Sequence, residues 1–214
     1  MAITFTPSWT DTGTQVIAPQ CLTLGNLIRG TLDLSTKFGA YLFVGIGRGG
    51  TTVLTTGVQV EVRRTFNAGA ILTPGAPWFA AISTTAAAIY KLINNTPGPY
   101  AAGTSAFAID GTGSPAYDED ICFWGATAIP ANAAALSTLE FARVSKFSGA
   151  TMTIDAPSKQ SHADNEILTN KADQWLVWCP GGCTYEVVID YGDDAAGEAV
   201  AVVCYAQIYA SEGA

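Results

Sequence analysis

Alternation of apolar and polar residues predicts two half-buried β-strands. Over Gly57–Arg64, every second residue of Val58–Val62 is a valine, and the residues between the valines are polar. A period of two places the valines on one face of a strand. Over Tyr185–Tyr191 the odd-numbered residues are apolar in the same way, and Val188 interrupts the polar face.

The segment Ala199–Tyr209 is apolar on both faces. One face carries Val200, Val202, Cys204 and Ile208, and the other carries Val203, Tyr205 and Tyr209. A strand of this kind is central in a sandwich, or it has a partner chain on its second face. The sequence leaves both interpretations open.

Many further short strands are predicted, and turn sequences rich in Gly and Pro separate them. They are Leu22–Leu34, Ala40–Ile46, Trp78–Ile82, Ile121–Ala128, Leu136–Ser145, Ala150–Asp155 and Gln174–Trp178. This pattern is typical of an antiparallel β-sandwich or jelly roll. We therefore predict an all-β, antiparallel β-sandwich with jelly-roll-like topology. It forms a single β-rich structural domain over residues 1–214, and residues near 95–120 mark where two β subdomains would divide.

One short helix is predicted over Thr84–Asn94. The run Ala86–Ala88 has high helix propensity, a threonine at the start can cap the helix, and Asn95 with Pro97 would end it. A second helical turn is predicted at Ala131–Ala135.

Composition points to surfaces that are not all exposed to water. Of the 214 residues only 13% are charged and 49% are hydrophobic, whereas roughly 25% charged residues is usual. Either small neutral residues cover much of the exterior, or other chains do. The formal net charge of -8 argues against a nucleic-acid groove, which requires a basic patch.

Membrane and secretory segments are not expected. Every apolar run is interrupted before it reaches the length of about 18 residues that a membrane-spanning helix needs. The first residues, MAITFTPSWTDTG, lack the basic start and apolar stretch of a secretory signal. We therefore expect a protein made in a cytoplasm.

Three glycines match the spacing of a phosphate-binding loop. Gly45, Gly47 and Gly50 fit the G-x-G-x-x-G pattern, in which glycines let the main chain approach a pyrophosphate at a helix N-terminus. Residues 51–62 read as a strand rather than a helix, so we predict a hairpin turn here instead. Arg48 would lie at the tip of that turn.

The single histidine, His162, lies in the polar stretch SKQSHADNE. A Ser-His-Asp site would require a serine on a sharp turn, and the G-x-S-x-G pattern does not occur. Asp164 and Glu166 are close enough in sequence to be ordinary loop partners. We predict a loop histidine without a catalytic role.

Five cysteines are present, and we expect them to be free and mostly buried. They are Cys21, Cys122, Cys179, Cys183 and Cys204. A zinc site would require a second cysteine pair, which the sequence lacks. A disulfide between Cys179 and Cys183, which flank a Pro-Gly-Gly turn, remains open.

Two acidic clusters could serve a glycosidase or bind Ca²⁺. They are Asp118, Glu119 and Asp120, and Asp193 with Asp194. Both clusters lie in predicted loops, where acidic residues are common. We therefore assign no catalytic, cofactor-binding or metal-binding residue, and we predict no cofactor and no enzymatic activity.

Two segments resemble virion structural proteins of tailed bacteriophages. They are residues 27–66, beginning LIRGTLDLSTKFGAYLFVG, and residues 139–193, beginning LEFARVSKFSGATMTID. The resemblance implies a capsid decoration (cement) protein that self-associates, with a trimer favoured. It also implies that the protein binds the major capsid protein or other virion proteins and is located in the virion after assembly in the host cytoplasm. No functional residue is carried over from the resemblance.

Other functions remain open beside this one. Within the virion, a tail or head-tail connector component is the alternative. From other classes, the chain could be a carbohydrate-binding β-sandwich whose tryptophans stack on sugars, or a hydrolase that uses one of the acidic clusters. The tryptophans are Trp9, Trp78, Trp124, Trp175 and Trp178. For assembly we predict Trp78, Phe79 and Tyr100 as anchors, and the Thr84–Asn94 helix with its Pro-rich exit as a contact arm.

Overall fold

A computed structural model describes most of the chain. The described residues are 13–23, 25–50, 57–65, 78–81, 87–93, 99–110, 115–170, 172–191 and 199–210. They form fifteen strands: β1 (Thr14–Thr23), β2 (Asn26–Asp33), β3 (Lys37–Arg48), β4 (Gln59–Thr65), β5 (Trp78–Ala81), β6 (Ile89–Leu92), β7 (Ala106–Asp110), β8 (Asp120–Phe123), β9 (Ala134–Ala135), β10 (Glu140–Ser148), β11 (Thr151–Ile154), β12 (Ile167–Asn170), β13 (Asp173–Pro180), β14 (Thr184–Tyr191) and β15 (Ala199–Ala210).

Nine strands form two antiparallel sheets that pack face to face. The five-stranded sheet has the order β13-β3-β15-β1-β9, and the four-stranded sheet has the order β2-β14-β4-β5. Between them lies the first hydrophobic core, to which both sheets contribute alternate residues such as Val60, Val187 and Val202. The predicted all-β antiparallel sandwich is confirmed, and the alternation in β4 and β14 correctly identified the residues that face its core.

The remaining six strands close into a barrel in the order β10-β11-β7-β6-β12-β8. The barrel strands lie in the chain between β5 and β13, so the barrel interrupts the sequence of the sandwich. A second core fills the barrel, with Phe107, Phe123, Val144 and Leu168 among its members. Strand β9 lies within the same stretch of sequence and pairs with β1 of the sandwich.

A third apolar cluster joins the barrel to the outer face of the five-stranded sheet. Strand β15 supplies Ala201 and Val203 to this cluster, while its other face supplies Val202 to the sandwich core. The barrel supplies Cys122 and Phe141. Both faces of β15 are therefore covered from within the chain over this length, and the interpretation of a central strand is correct there.

Glycines in β3 make room for the barrel. Gly45 and Gly47 lie on the outer face of the strand, where a methyl group on Gly45 would lie 3.0 Å from the Phe141 ring. A methyl group on Gly47 would lie 2.6 Å from Cβ of Cys122. The predicted hairpin turn at these glycines is wrong, because β3 continues through Arg48 and the missing side chains serve packing rather than a turn.

The predicted helix over Thr84–Asn94 is wrong where the structure describes it. Ile89–Leu92 form β6, in which Tyr90 and Leu92 are buried while Ile89 and Lys91 are exposed. Pairing with β12 and β7 and burial of two large side chains prevail over the helix propensity of the alanines before them. The predicted helix that was proposed as a contact arm is therefore a barrel strand over Ile89–Leu92. Residues 94–98, its predicted Pro-rich exit, lie outside the described residues.

Three other boundaries differ from prediction. Ala131–Ala135 form no helical turn, because Ala134 and Ala135 pair with β1. The strand predicted over Leu22–Leu34 is two strands that separate at Gly25, whose φ of 81° suits glycine. The strand predicted over Ile121–Ala128 ends at Phe123. No helix in the described part of the chain is long and apolar enough to cross a membrane.

The close packing at Gly47 leads to a stability prediction. We expect Gly47→Ala to lower the free energy of unfolding by about 1–3 kcal/mol, since the added methyl group overlaps Cβ of Cys122, which cannot move without the β8 backbone. Gly13→Ala is the control, because its nearest neighbour would lie at an ordinary 3.4 Å. Urea unfolding of both variants measures the difference, and equal stability of the two would contradict the packing described for the barrel.

Candidate functional site

A group of aromatic side chains lies on the outer face of the five-stranded sheet, on the part that the barrel leaves uncovered. We define the aromatic patch as Phe38, Tyr41, Trp178, Tyr209 and the adjoining Leu176. The ring centroids of Tyr41 and Trp178 are 4.9 Å apart, and those of Trp178 and Tyr209 are 6.1 Å apart. Phe38 lies 6.0 Å from Trp178. Trp178 is thus the ring that all the other aromatic residues of the patch approach.

Strand register brings these residues together. Trp178 of β13 pairs with Tyr41 of β3, and Tyr209 of β15 pairs with Gly39 of β3. A methyl group on Gly39 would lie 2.6 Å from the indole ring of Trp178, so the absence of a side chain there lets the indole lie flat across β3. The patch is therefore built on three neighbouring strands of a rigid sheet.

The patch is solvent-exposed to an unusual degree for large apolar residues. Phe38 is 66% exposed, Leu176 is 44% exposed and Trp178 is 40% exposed. The outer face of the four-stranded sheet is different, since Arg29 and Glu186 form an ion pair there at 2.7 Å. The outer face of the four-stranded sheet carries charged side chains that suit contact with water. The uncovered part of the outer face of the five-stranded sheet is suited to an apolar partner.

A second candidate site is buried at one end of the barrel. His162 lies between two glutamates, with Nε2 at 3.1 Å from Glu140 Oε2 and Nδ1 at 3.0 Å from Glu166 Oε1. All three side chains are buried. Glu140 begins β10 and Glu166 immediately precedes β12, so the cluster connects the starts of two barrel strands.

The main chain completes the bonding of both carboxylates. The N–H groups of Lys159 and Gln160 donate to Glu140 at 2.8 and 3.0 Å. Those of Gly125 and Ala163 donate to Glu166 at 2.9 and 3.1 Å. Every carboxylate oxygen in the cluster therefore accepts at least one hydrogen bond, which compensates for the loss of water on burial.

Aromatic rings enclose the imidazole. The Phe123 ring stacks on His162 with centroids 4.3 Å apart, and the Phe107 ring meets its edge at 5.8 Å. Burial lowers the pKa of His162, but hydrogen bonds and charge from Glu140 and Glu166 outweigh it and raise the pKa to about 9. His162 is therefore an imidazolium at neutral pH and donates from both ring nitrogens.

This arrangement is unsuited to nucleophile activation. A general base must offer a free ring nitrogen to a hydroxyl group, and both nitrogens of His162 are bonded to carboxylates. His162 lies outside the named strands, in agreement with the prediction of a loop residue, but it is fully buried and pairs with Tyr100 in an isolated β-bridge, which the polar stretch around it did not indicate. The i,i+4 spacing to Glu166 was the signal in the sequence, whereas Glu140 is 22 residues away.

The acidic cluster before β8 is held by neighbouring side chains. Arg143 lies 3.0 Å from Asp120 and 3.4 Å from Asp118. The Asn170 amide donates to Glu119 at 3.0 Å. These carboxylates therefore bind groups of the barrel rather than face one another across a cleft. Asp193 and Asp194 lie outside the described residues.

The five cysteines are free thiols, and all are buried. Burial raises the pKa of Cys21 to about 11 and that of Cys179 to about 12. Both thiols are protonated at neutral pH, a form that reacts poorly as a nucleophile. Cys179 and Cys183 are not bonded to each other in the structure.

The tryptophans considered for sugar stacking and the predicted anchors Trp78, Phe79 and Tyr100 lie in different environments. Trp124 is buried and donates to the Thr169 hydroxyl at 3.1 Å, while Trp175 packs against the sandwich core. Tyr100 donates its hydroxyl to the Ile93 carbonyl at 2.6 Å, so it serves the barrel rather than a surface. Trp78 and Phe79 form part of β5, and Trp9 lies outside the described residues.

No family model and no curated protein matches the chain. Across the described residues, no group of three or more His, Cys, Asp or Glu side chains has a geometry that could hold a metal ion.

The raised pKa of His162 predicts that stability depends on pH. Because the pKa rises from 6.5 to about 9 on folding, the stabilisation is complete below about pH 6.5 and is lost as the pH rises through 9. The loss should amount to about 3 kcal/mol. Chemical denaturation between pH 6 and 9.5 measures it, and since the chain has one histidine, its NMR resonance reports the pKa directly.

His162→Gln is the control for this pH dependence. The variant should be less stable at pH 6 and should show little change in stability between pH 6.5 and 9. A wild-type slope that persists in the variant, or an NMR pKa near 6.5, would contradict the charged cluster.

Proposed function

We propose that this protein is a non-enzymatic structural subunit that assembles with copies of itself and with neighbouring proteins through the aromatic patch. The resemblance to virion structural proteins of tailed bacteriophages suggests the setting. In that setting the protein is a capsid decoration (cement) protein that stabilises the phage head, with the major capsid protein as its partner. A tail or head-tail connector component is the alternative within the virion.

The observation that carries the proposal is the exposure of the aromatic patch. Trp178, Tyr41 and Tyr209 contact one another on three neighbouring strands of one sheet, and Phe38 and Leu176 extend the apolar area at its margin. Aromatic residues on a rigid support are enriched among those that dominate the free energy of protein association. Leaving them in water has a cost that burial against a partner removes.

The His162 cluster and the acidic cluster support a structural role because their ionisable groups are bonded to one another within the chain. His162 is held by two carboxylates, and Arg143 binds Asp118 and Asp120. The buried thiols whose pKa is raised are protonated. None of these groups is aimed at a substrate, and the low share of charged residues favours surfaces that other chains cover.

A structural subunit of this kind acts through repeated contacts. When one oligomer touches several subunits of a shell, each contact raises the effective concentration of the others, so modest pairwise affinities produce durable attachment. A homo-oligomer supplies these repeated contacts by symmetry. A trimer is the state that the resemblance favours.

Carbohydrate binding by the same patch is the second candidate. An exposed indole such as that of Trp178 can stack on a sugar, which is the observation in its favour. The neighbouring rings of Phe38 and Tyr41 are inclined to Trp178 by 52° and 55°, however, so they do not form one flat platform. Trp124 is buried, and it adds nothing to such a surface.

The proposal predicts that Trp178→Ser weakens assembly. We expect the dissociation constant for self-association to rise by at least about tenfold, as is usual for the loss of a central aromatic contact. Sedimentation velocity over a concentration series measures self-association, and co-sedimentation with phage heads lacking the protein measures attachment.

The matched control is Tyr117→Ser, which removes an aromatic residue that is 78% exposed on the barrel. It should leave both measurements unchanged. If Trp178→Ser behaves like this control, the patch is not the assembly surface. Glycan-array binding that Trp178→Ser abolishes, without any self-association of the wild type, would favour the carbohydrate-binding candidate instead.

A further inference from the structure

Among the residues that the structure describes, the sandwich has four edge strands, and three of them are short or charged. Strand β9 has two residues and β5 has four, while β2 carries Arg29, which is paired with Glu186. Strand β13 has eight residues and no charge from Gln174 to Cys179. Proteins usually protect an edge by shortness, charge or proline, and β13 has such protection only at its ends, in Asp173 and Pro180.

The main chain of β13 offers a free row of hydrogen-bonding groups. In the described part of the chain, β13 pairs with β3 alone. The Gly181 N–H donates to the Phe38 carbonyl at 2.8 Å, and hydrogen-bonded pairs alternate along an antiparallel ladder. The N–H and C=O groups of Gln174, Leu176 and Trp178 therefore point away from β3, towards the open edge.

We propose that β13 pairs with β13 of a second copy of this chain across a two-fold axis at Leu176. This inference rests on the self-association in the proposed function, since it names the edge through which copies assemble, and it requires an even number of copies in place of the trimer that the resemblance favours. A two-fold axis makes the pairing antiparallel, and each copy then uses the same surface. The two five-stranded sheets become one continuous sheet.

The side chains of β13 determine the register. Opposed residues share a face of the sheet only when the two-fold axis lies midway between a residue and the same residue of the partner subunit. We refer to an axis in that position as an axis at that residue. With Leu176 on the axis, Leu176 faces Leu176 of the partner subunit and Gln174 faces Trp178 of the partner subunit. The N–H group of each of these residues points away from β3. An axis at Val177 would instead set Gln174 against Pro180 of the partner subunit, which has no N–H group.

Charge is compatible with this pairing although the chain as a whole is acidic. The single charge in β13 is Asp173, which would face Cys179 of the partner subunit. The two Asp173 carboxylates are then six residues apart along the ladder, or about 20 Å, so they repel each other weakly. The Leu176 pair also joins the two aromatic patches into one apolar surface.

The test compares Leu176→Lys with a matched control, Leu27→Lys. Leu27 is 49% exposed on the edge strand β2, and Leu176 is 44% exposed on β13. Mass photometry of the full chain should show that Leu176→Lys halves the mass of the wild-type assembly, because two lysines would oppose each other at the axis. Leu27→Lys should leave the mass unchanged.

A complementation experiment tests the axis and also shows that the variants are folded. Leu176→Lys mixed with Leu176→Asp should restore the wild-type mass, since opposite charges would then face each other. Leu176→Asp alone should remain at half mass. Recovery in the mixture supports the two-fold pairing, and failure to recover overturns it.

The outcomes separate this inference from the proposed function. If Leu176→Lys leaves the mass unchanged while Trp178→Ser abolishes assembly or attachment to heads, the β13 pairing is wrong and the proposed function stands. A wild-type assembly with an odd number of copies, such as a lone trimer, also overturns the pairing. A wild type that is monomeric and does not attach to heads overturns both.

Discussion

The close approach of the barrel to β3 is the contact on which the arrangement of this molecule depends. Gly45 and Gly47 have no side chains, so Phe141 and Cys122 of the barrel can pack almost against the backbone of the sheet. This contact buries the part of the outer face that includes Ala201 and Val203. The barrel covers only this part of the outer face, and the aromatic patch lies on the part that it leaves uncovered.

The two candidate sites differ in how far their side chains are bonded or covered by other parts of the chain. In the Glu140–His162–Glu166 cluster, three ionisable groups satisfy one another and the surrounding N–H groups, so their charges stabilise one end of the barrel. In the aromatic patch, the rings contact one another but are exposed to water. A site whose bonding is complete serves the fold, whereas an exposed apolar surface is suited to burial against a partner. The proposed assembly role follows from that contrast.

The sequence predicted the strands whose burial follows a simple period. Alternation identified the inward faces of β4 and β14, and apolar residues on both sides of β15 allowed a central strand or a partner chain, of which the structure shows the central strand where the barrel covers it. The helix over Thr84–Asn94 was mispredicted because local alanine propensity says nothing about the barrel that pairs with Ile89–Leu92. Likewise, spacing between glycines cannot reveal a barrel packed on Gly47. The pairing of His162 with Glu140 and the gathering of the patch around Trp178 depend on strand register, which is set by contacts distant in sequence.

Hydrogen–deuterium exchange of the wild-type protein tests the central claim most directly, namely that the uncovered face and edge of the five-stranded sheet are assembly surfaces. Exchange is compared between concentrated protein and protein diluted below the dissociation constant for self-association, with peptides from β13 and from β2 read in the same experiment. We expect amides of Gln174, Leu176 and Trp178 to become protected on concentration while those of β2 do not change. Equal exchange of β13 at both concentrations, in a protein that demonstrably self-associates, would contradict it.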